Sequence, residues 1–292
     1  MTIIDGKKTA AEIREELKQK IDGLKAEGKN VPGLVTILVG EDPASQVYVR
    51  SKIKDCEEIG MRTKAEFHNA GISEKALLAL VEKYNEDPDF HGILVQLPLP
   101  KHIDENKIIE SISPKKDVDG FSPTSVGNLV IGKDTFASCT PAGIQELLKR
   151  YNIDTKGKHV VVLGRSNIVG KPIANIMLQK KEHANSVVTI CHSAAKNLAD
   201  YTKQADILIA AIGRAEFVKA EMVKEGVVVI DVGINRIDDP SKPKGYRLTG
   251  DVDFENVSKK SSYITPVPGG VGPMTRAMLL QNTFKAYQKY GG

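Results

Sequence analysis

The chain has 292 residues, 41% hydrophobic and 27% charged, the composition of an ordinary soluble globular protein with room for about two domains. A net charge of +4, 5% aromatic content and no tryptophan argue against a base-stacking surface, an aromatic-lined sugar groove and a basic nucleic-acid footprint.

Taken in chain order, the first half alternates helical and strand signals. Ala10, Ile13, Leu17, Ile21 and Leu24 fall at helical spacing and predict a helix over Thr9–Leu24. A strand is expected at Leu34–Val39, cut off by Gly40, and a second helix over Ser45–Ile59. A strand-like run, Gly92–Leu97, stops at Pro98 and Pro100. Such alternation argues for a parallel sheet covered by helices. A domain boundary is expected near Ser138–Gly143, followed by a helix over Ala142–Tyr151 with Pro141 at its start.

The second half repeats the pattern more cleanly. Strands are expected at His159–Leu163, Ser186–Ile190, Ile207–Ile212 and Gly226–Val232, with a turn at Gly164–Gly170 and a helix over Pro172–Gln179. Short apolar strands, each closed by a glycine or small polar residue, describe a Rossmann-like, doubly wound parallel sheet. The Pro/Gly block Thr265–Thr275 then precedes a final helix, Met274–Tyr290. Its three prolines and three glycines read first as a stiff, bare turn.

Four features can carry chemistry. The turn Gly164-Arg165-Ser166-Asn167-Ile168-Val169-Gly170 is not G-x-G-x-x-G, but it places glycines at a strand end and at a helix start, as phosphate-binding turns do. NAD-binding folds place an acid about 20 residues further on for the ribose 2′-hydroxyl. Here the second strand runs into Cys191-His192-Ser193-Ala194-Ala195-Lys196, without an acid, and Arg165, Ser193 and His192 offer donors to a 2′-phosphate, favouring NADP over NAD. His192 and Ser193 can equally be mere loop caps.

Tyr48 and Lys52 lie one turn apart on the second helix, with Asp55 on the same face, beside an apolar stripe of Val49, Ile53 and Cys56. A phenol beside a desolvated amine is a candidate acid–base pair, although taken alone a snorkelling surface lysine is the commoner case. Gln96 ends a strand, where ligands bind in α/β sheets. The polar turn Lys116–Phe121 carries two acids, Asp117 and Asp119; a carboxylate there suits an amino-pyrimidine edge, or the stretch is simply an Asp-Gly turn.

Cys56, Cys139 and Cys191 are scattered without C-x-x-C pairing, so no zinc or other metal site is expected and each reads as a buried thiol in a reducing compartment. No apolar run approaches the ~20 residues of a membrane span. The N-terminal segment Met-Thr-Ile-Ile-Asp-Gly-Lys-Lys has neither a signal core nor an amphipathic leader, so a cytoplasmic location is expected.

Taken together, Asp42–Lys52, Val95–Pro100, Lys116–Phe121, Cys139–Gly143, Gly164–Pro172, Asp231–Asn235, Gly250–Asp253 and the Pro/Gly block resemble, in order, the motifs of the bifunctional methylenetetrahydrofolate dehydrogenase/cyclohydrolase (FolD) family. The resemblance implies two α/β domains with a folate cleft between them, residues 1–140 plus 274–292 forming the folate domain and 141–273 the NADP domain. It implies NADP-dependent oxidation of 5,10-methylenetetrahydrofolate, then hydrolysis of the methenyl product to 10-formyltetrahydrofolate, by a homodimer. Carried over by motif, Lys52 is the catalytic lysine, Tyr48 its neighbour and Gln96 its tuning partner, while Asp119 holds the pterin. Gly164, Arg165 and Ser166 take the cofactor phosphates with Ser193 near the 2′-phosphate, and Ile234 packs near the nicotinamide. The Pro/Gly block becomes a returning strand, with Pro268, Gly269 and Gly270 lining the substrate cleft, and valine at Gly269 or Gly270 is expected to harm catalysis more than stability. The chain departs from the family pattern at Ser122, Asn128 and Ser138. Two other readings remain open on the residues alone: a monofunctional dehydrogenase, and a non-catalytic nucleotide-binding scaffold.

Overall fold

The computed structural model describes residues 1–242 and 245–291. In chain order the elements are β1 (Thr2–Ile3), α1 (Gly6–Ala26), β2 (Gly33–Val39), α2 (Pro43–Glu58), β3 (Arg62–His68), α3 (Glu74–Glu86), β4 (Gly92–Val95), α4 (Glu105–Ser111), α5 (Pro123–Val130) and α6 (Cys139–Arg150). They continue as β5 (His159–Leu163), α7 (Gly170–Met177), β6 (Val187–Cys191), α8 (Ala199–Thr202), β7 (Ile207–Ala210), β8 (Val228–Asp231), β9 (Asn235–Asp238), β10 (Tyr246–Thr249), α9 (Phe254–Val257), β11 (Tyr263–Ile264) and α10 (Val271–Tyr290). Among the described residues, no helix is long and apolar enough to cross a membrane.

The chain divides into two compact units, one of Ala11–Cys139 with Arg276–Gly292, the other of Met1–Ala10 with Thr140–Thr275. The first contains a three-stranded parallel sheet in the order β3-β2-β4. Every residue of β2 is buried, as expected for a central parallel strand covered on both faces. Val35, Ile37 and Val39 face one way and join Leu77 and Val81 of α3, Ile93 and Val95 of β4 and Ile108 of α4 in one core.

The second unit holds a six-stranded sheet, β1-β11-β8-β7-β5-β6, parallel throughout. Its strands β5, β6, β7 and β8 fall where the apolar runs place them, within two residues at each end. The sheet runs outward from β5 in both directions, to β6 on one side and to β7, β8 and β11 on the other. The gap between the ends of β5 and β7 is therefore the topological switch point, where such sheets bind ligands.

Two expectations need correction. Residues 1–10 were assigned to the first unit, but β1 pairs with β11, with Thr2 opposite Tyr263 and Ile3 opposite Ile264, so the N-terminus belongs to the six-stranded sheet. The Pro/Gly block is not a strand. β11 ends at Ile264, Pro266–Gly270 form a loop, and α10 begins at Val271 rather than Met274. Pro273 fits because the first helical turn needs no N–H from it. The loop is also tightly packed. Lys7 N–H donates to Gly269 O at 2.9 Å, and a Cβ on Gly270 would lie 2.6 Å from Pro266 O. Bulk at Gly270 therefore threatens the fold itself.

Candidate active site

Helix α2 opens with Asp42 accepting from Ser45 N at 2.7 Å and with Pro43 in the first turn. Its buried stripe includes Val49 and Cys56, and this anchoring leaves Tyr48, Lys52 and Asp55 on a neighbouring face. Lys52 is only 6% exposed. Its Nζ donates to Gln96 Oε1 at 3.0 Å and sits 4.7 Å from the Tyr48 ring centroid, within cation–π range. Gln96 Nε2 donates to Leu97 O at 2.8 Å, which orients the amide so that its oxygen faces the lysine. Burial lowers the Lys52 pKa, opposed by the nearby Asp119 carboxylate. Tyr48 keeps 37% of its surface, yet burial of its phenol pushes the pKa up to about 12. Asp55 pairs with Arg276 of α10, Oδ2 to Nε at 3.1 Å, and burial raises its pKa against that pull.

Asp119 is presented by a turn built around its neighbour. Asp117 accepts from Gly120 N (3.1 Å), Phe121 N (3.3 Å), Ser122 N (3.0 Å) and Ser125 Oγ (2.6 Å). Gly120 has φ +71°, and a Cβ there would lie 2.6 Å from Phe136 O, so only glycine suits the turn. Ser122, one of the departures from the family pattern, caps α5 by accepting from Ser125 N at 3.2 Å. Burial raises the Asp119 pKa, with Lys52 pulling it down. The Cys139 Sγ donates to Val118 O at 3.5 Å, next to Asp119, and burial holds its thiol well above the usual value, with the Asp119 carboxylate pushing it the same way. That thiol, read from sequence as a plain buried hydrophobe, thus touches the site. Asn282 of α10 was missed altogether. Its Nδ2 donates to Val118 O at 2.8 Å and Ala137 O at 3.0 Å, pinning the segments that carry Asp119 and Cys139.

The six-stranded sheet carries the second set. Leu163 of β5 pairs with Cys191 of β6, so Arg165 and Ser193 each stand two residues beyond adjacent strand ends, both exposed. Gly164 has φ +130°, and a Cβ there would strike the Ala211 carbonyl across the switch point. Ser166 is exposed next to Arg165 and braces the turn. Its Oγ accepts from Val169 N (3.1 Å) and Gly170 N (3.3 Å) and its carbonyl from Lys171 N (3.0 Å), so it closes the turn on itself. Ile234, 63% exposed, lines a cavity of about 160 Å³ with Asp231, Gly233 and the loop Pro266–Gly270, which includes Pro268 and Gly269. A bare glycine turn at a switch point, two exposed donors beyond paired strands and an acid-free stretch Cys191–Lys196 at the end of β6 fit a nucleotide with a 2′-phosphate.

Comparison with known proteins decides the family. The catalytic-domain profile of the tetrahydrofolate dehydrogenase/cyclohydrolases matches residues 4–119, and their NAD(P)-binding-domain profile matches residues 138–291. This chain belongs to the tetrahydrofolate dehydrogenase/cyclohydrolase family. A bifunctional protein FolD of Chlorobium limicola is 61% identical over 291 residues, covering 99% of this chain and 98% of the relative. The crystal structure of the bifunctional FolD enzyme of Campylobacter jejuni superposes with a TM-score of 0.93 at 52% identity, covering 99% of both chains. The Trypanosoma brucei dehydrogenase–cyclohydrolase, solved with NADP and an inhibitor, does so with a TM-score of 0.93 at 40% identity, covering 99% of this chain and 98% of that one. The chain is thus an enzyme with the family's dehydrogenase and cyclohydrolase activities, built from a catalytic domain and an NAD(P)-binding domain.

Proposed function

We propose that one centre, Lys52 with Tyr48, Gln96 and Asp119, serves both folate reactions, and that the loops after β5, β6 and β8 hold NADP. The substrate is 5,10-methylenetetrahydrofolate, converted first to the methenyl form and then to 10-formyltetrahydrofolate. The observation that carries this reading is a buried lysine amine held against an oriented amide oxygen and an aromatic face.

NADP supplies the hydride acceptor. Hydride loss leaves a cation spread over N–C–N of the substrate, so no strong base is needed and geometry dominates. The protein's part is to fix the pterin, with the Asp119 carboxyl offered to its amino-pyrimidine edge. Hydrolysis asks more. Water adds to the N–C–N carbon and gives one proton to the neutral Lys52 amine; one C–N bond then breaks as that proton returns to the leaving nitrogen, and the remaining O–H proton is lost to solvent as the formyl C=O forms. Burial lowers the Lys52 pKa, which shifts the balance toward the neutral amine. Gln96 Oε1, the Tyr48 ring and Asp119 then steady the transient ammonium. Tyr48, at about 12, stays protonated at neutral pH and acts as a hydrogen-bond donor, not a base.

Arg165 and Ser193 favour NADP over NAD, since they meet a 2′-phosphate with charge and a hydroxyl. The family resemblance supports a homodimer, and three free, buried cysteines accord with a reducing, cytoplasmic setting. The test is one assay of methylenetetrahydrofolate with NADP, then with NAD. Reduction of NADP faster than NAD, with 10-formyltetrahydrofolate as the end product, is expected. Accumulation of the methenyl compound would reduce the enzyme to a dehydrogenase, and no reduction would leave only a nucleotide-binding scaffold.

A further inference from the structure

Two carboxylates of the six-stranded unit take no part in the chemistry above, yet they are almost wholly buried. Asp231 closes β8 at 3% exposure, and Asp251 follows β10 at 0%. Among the described residues, neither has a basic side chain as a hydrogen-bond partner. Asp251 Oδ2 accepts from Ile212 N (2.7 Å) and Gly213 N (2.9 Å), and its Oδ1 from Arg214 N (2.9 Å) and Asn235 Nδ2 (2.9 Å). Asp231 Oδ1 accepts from Gly233 N (3.0 Å) and Asp251 N (2.9 Å), and its Oδ2 from Val252 N (3.0 Å). The Asp231 N–H in turn donates to Thr265 Oγ1 at 2.7 Å.

These bonds join four chain segments that are distant in sequence: the loop after β7, the loop after β8, the stretch after β10 and the start of the Pro/Gly loop. Gly233 and Gly250 have no room for a Cβ because the two carboxylates fill it. The arrangement reaches the switch point directly. Gly164 of the nucleotide turn packs on the Ala211 carbonyl, and the next residue, Ile212, is held by Asp251. On the other side Asp231, Gly233 and Ile234 line the cavity shared with Pro266–Gly270. Desolvating two carboxylates is costly, and a fold needing only stability would fill such a site with apolar side chains. What seven N–H donors on two carboxylates supply instead is a fixed backbone along the ligand-binding edge.

We infer that Asp251 and Asp231 are positioning residues for the cofactor: their carboxylates lock the loops after β7 and β8 into the shape that receives the nucleotide. This rests on the NADP reading above. An Asp251→Asn substitution turns an NH₂ group toward backbone N–H donors, so at least two bonds are lost and the loop after β7 is released.

The test is isothermal titration of NADP into the full-length wild type and D251N. It is run at pH 8, above the value of about 7 to which burial raises Asp231. D251N is expected to bind with a Kd raised about tenfold or more, with an unchanged number of sites per folded chain. A merely structural role would lower the number of competent sites and leave Kd alone, and that result, or an unchanged Kd with full occupancy, overturns the inference. Should D251N not fold, Asn235→Ala removes one donor and leaves both carboxylates. It is expected to raise Kd about threefold, and no change would again overturn the inference. Failure of the wild type to bind NADP at all would instead overturn the functional reading on which this inference stands.

Discussion

Lys52→Met is expected to cut methenyltetrahydrofolate hydrolysis by roughly 100-fold or more while the hydride-transfer step keeps most of its rate. Methionine nearly matches the lysine stem in length and suits a site where only 6% of the side chain is exposed, so the fold should tolerate it. What it removes is the one amine that faces Gln96 Oε1 and the Tyr48 ring. Hydrolysis moves two protons at the reacting centre; hydride transfer moves none through the protein. Separate assays of the two steps check this. Hydrolysis at the wild-type rate would remove Lys52 from the mechanism, and equal loss of both steps would make it a substrate-binding residue only.

Gly270→Val is expected to lower stability by about 3 kcal/mol or more, and the melting temperature by roughly 6–12 °C. The sequence alone suggested damage to catalysis above stability. The packing reverses that order. A Cβ at Gly270 would approach Pro266 O to 2.6 Å and the Thr265 Cβ to 2.8 Å, and the Gly270 carbonyl already abuts Gly6 at the start of α1. None of these neighbours is the movable end of a long side chain. Thermal melting of the purified variant is the measurement, and an unchanged melting temperature would return the block to the role of a bare cleft wall.

The contrast shows what the chain discloses locally and what it does not. Strands β5 and β7 were legible because each is a short apolar run stopped by a glycine or small residue. Strands β1 and β11, two residues each, carry no periodicity, and only their mutual pairing defines them. Tyr48 and Lys52 were legible from helical spacing, and Gln96 from its place at a strand end. Asn282 was not. It is one amide in a long helix, and its acceptors, Val118 O and Ala137 O, are 164 and 145 residues away. Asp231 and Asp251 stood in recognised strings, yet nothing local shows that they accept N–H groups from each other's loops. Ser166 stood in a recognised string, but nothing local shows that its Oγ accepts from Val169 N and Gly170 N, which leaves its O–H as a donor. The start of α10 was misplaced because Pro273 reads as a breaker, although a helix accepts proline in its first turn.

The central claim is that burial makes the Lys52 amine a base within reach of neutral conditions. The direct measurement is its own titration, followed by ¹⁵N NMR of the lysine Nζ groups, with Lys52→Met assigning the signal. A pKa well below the ordinary lysine value of 10.5 is expected, because desolvation outweighs the pull of Asp119. A value at or above 10.5 would contradict it, since the amine would then stay charged and could not take the proton from water.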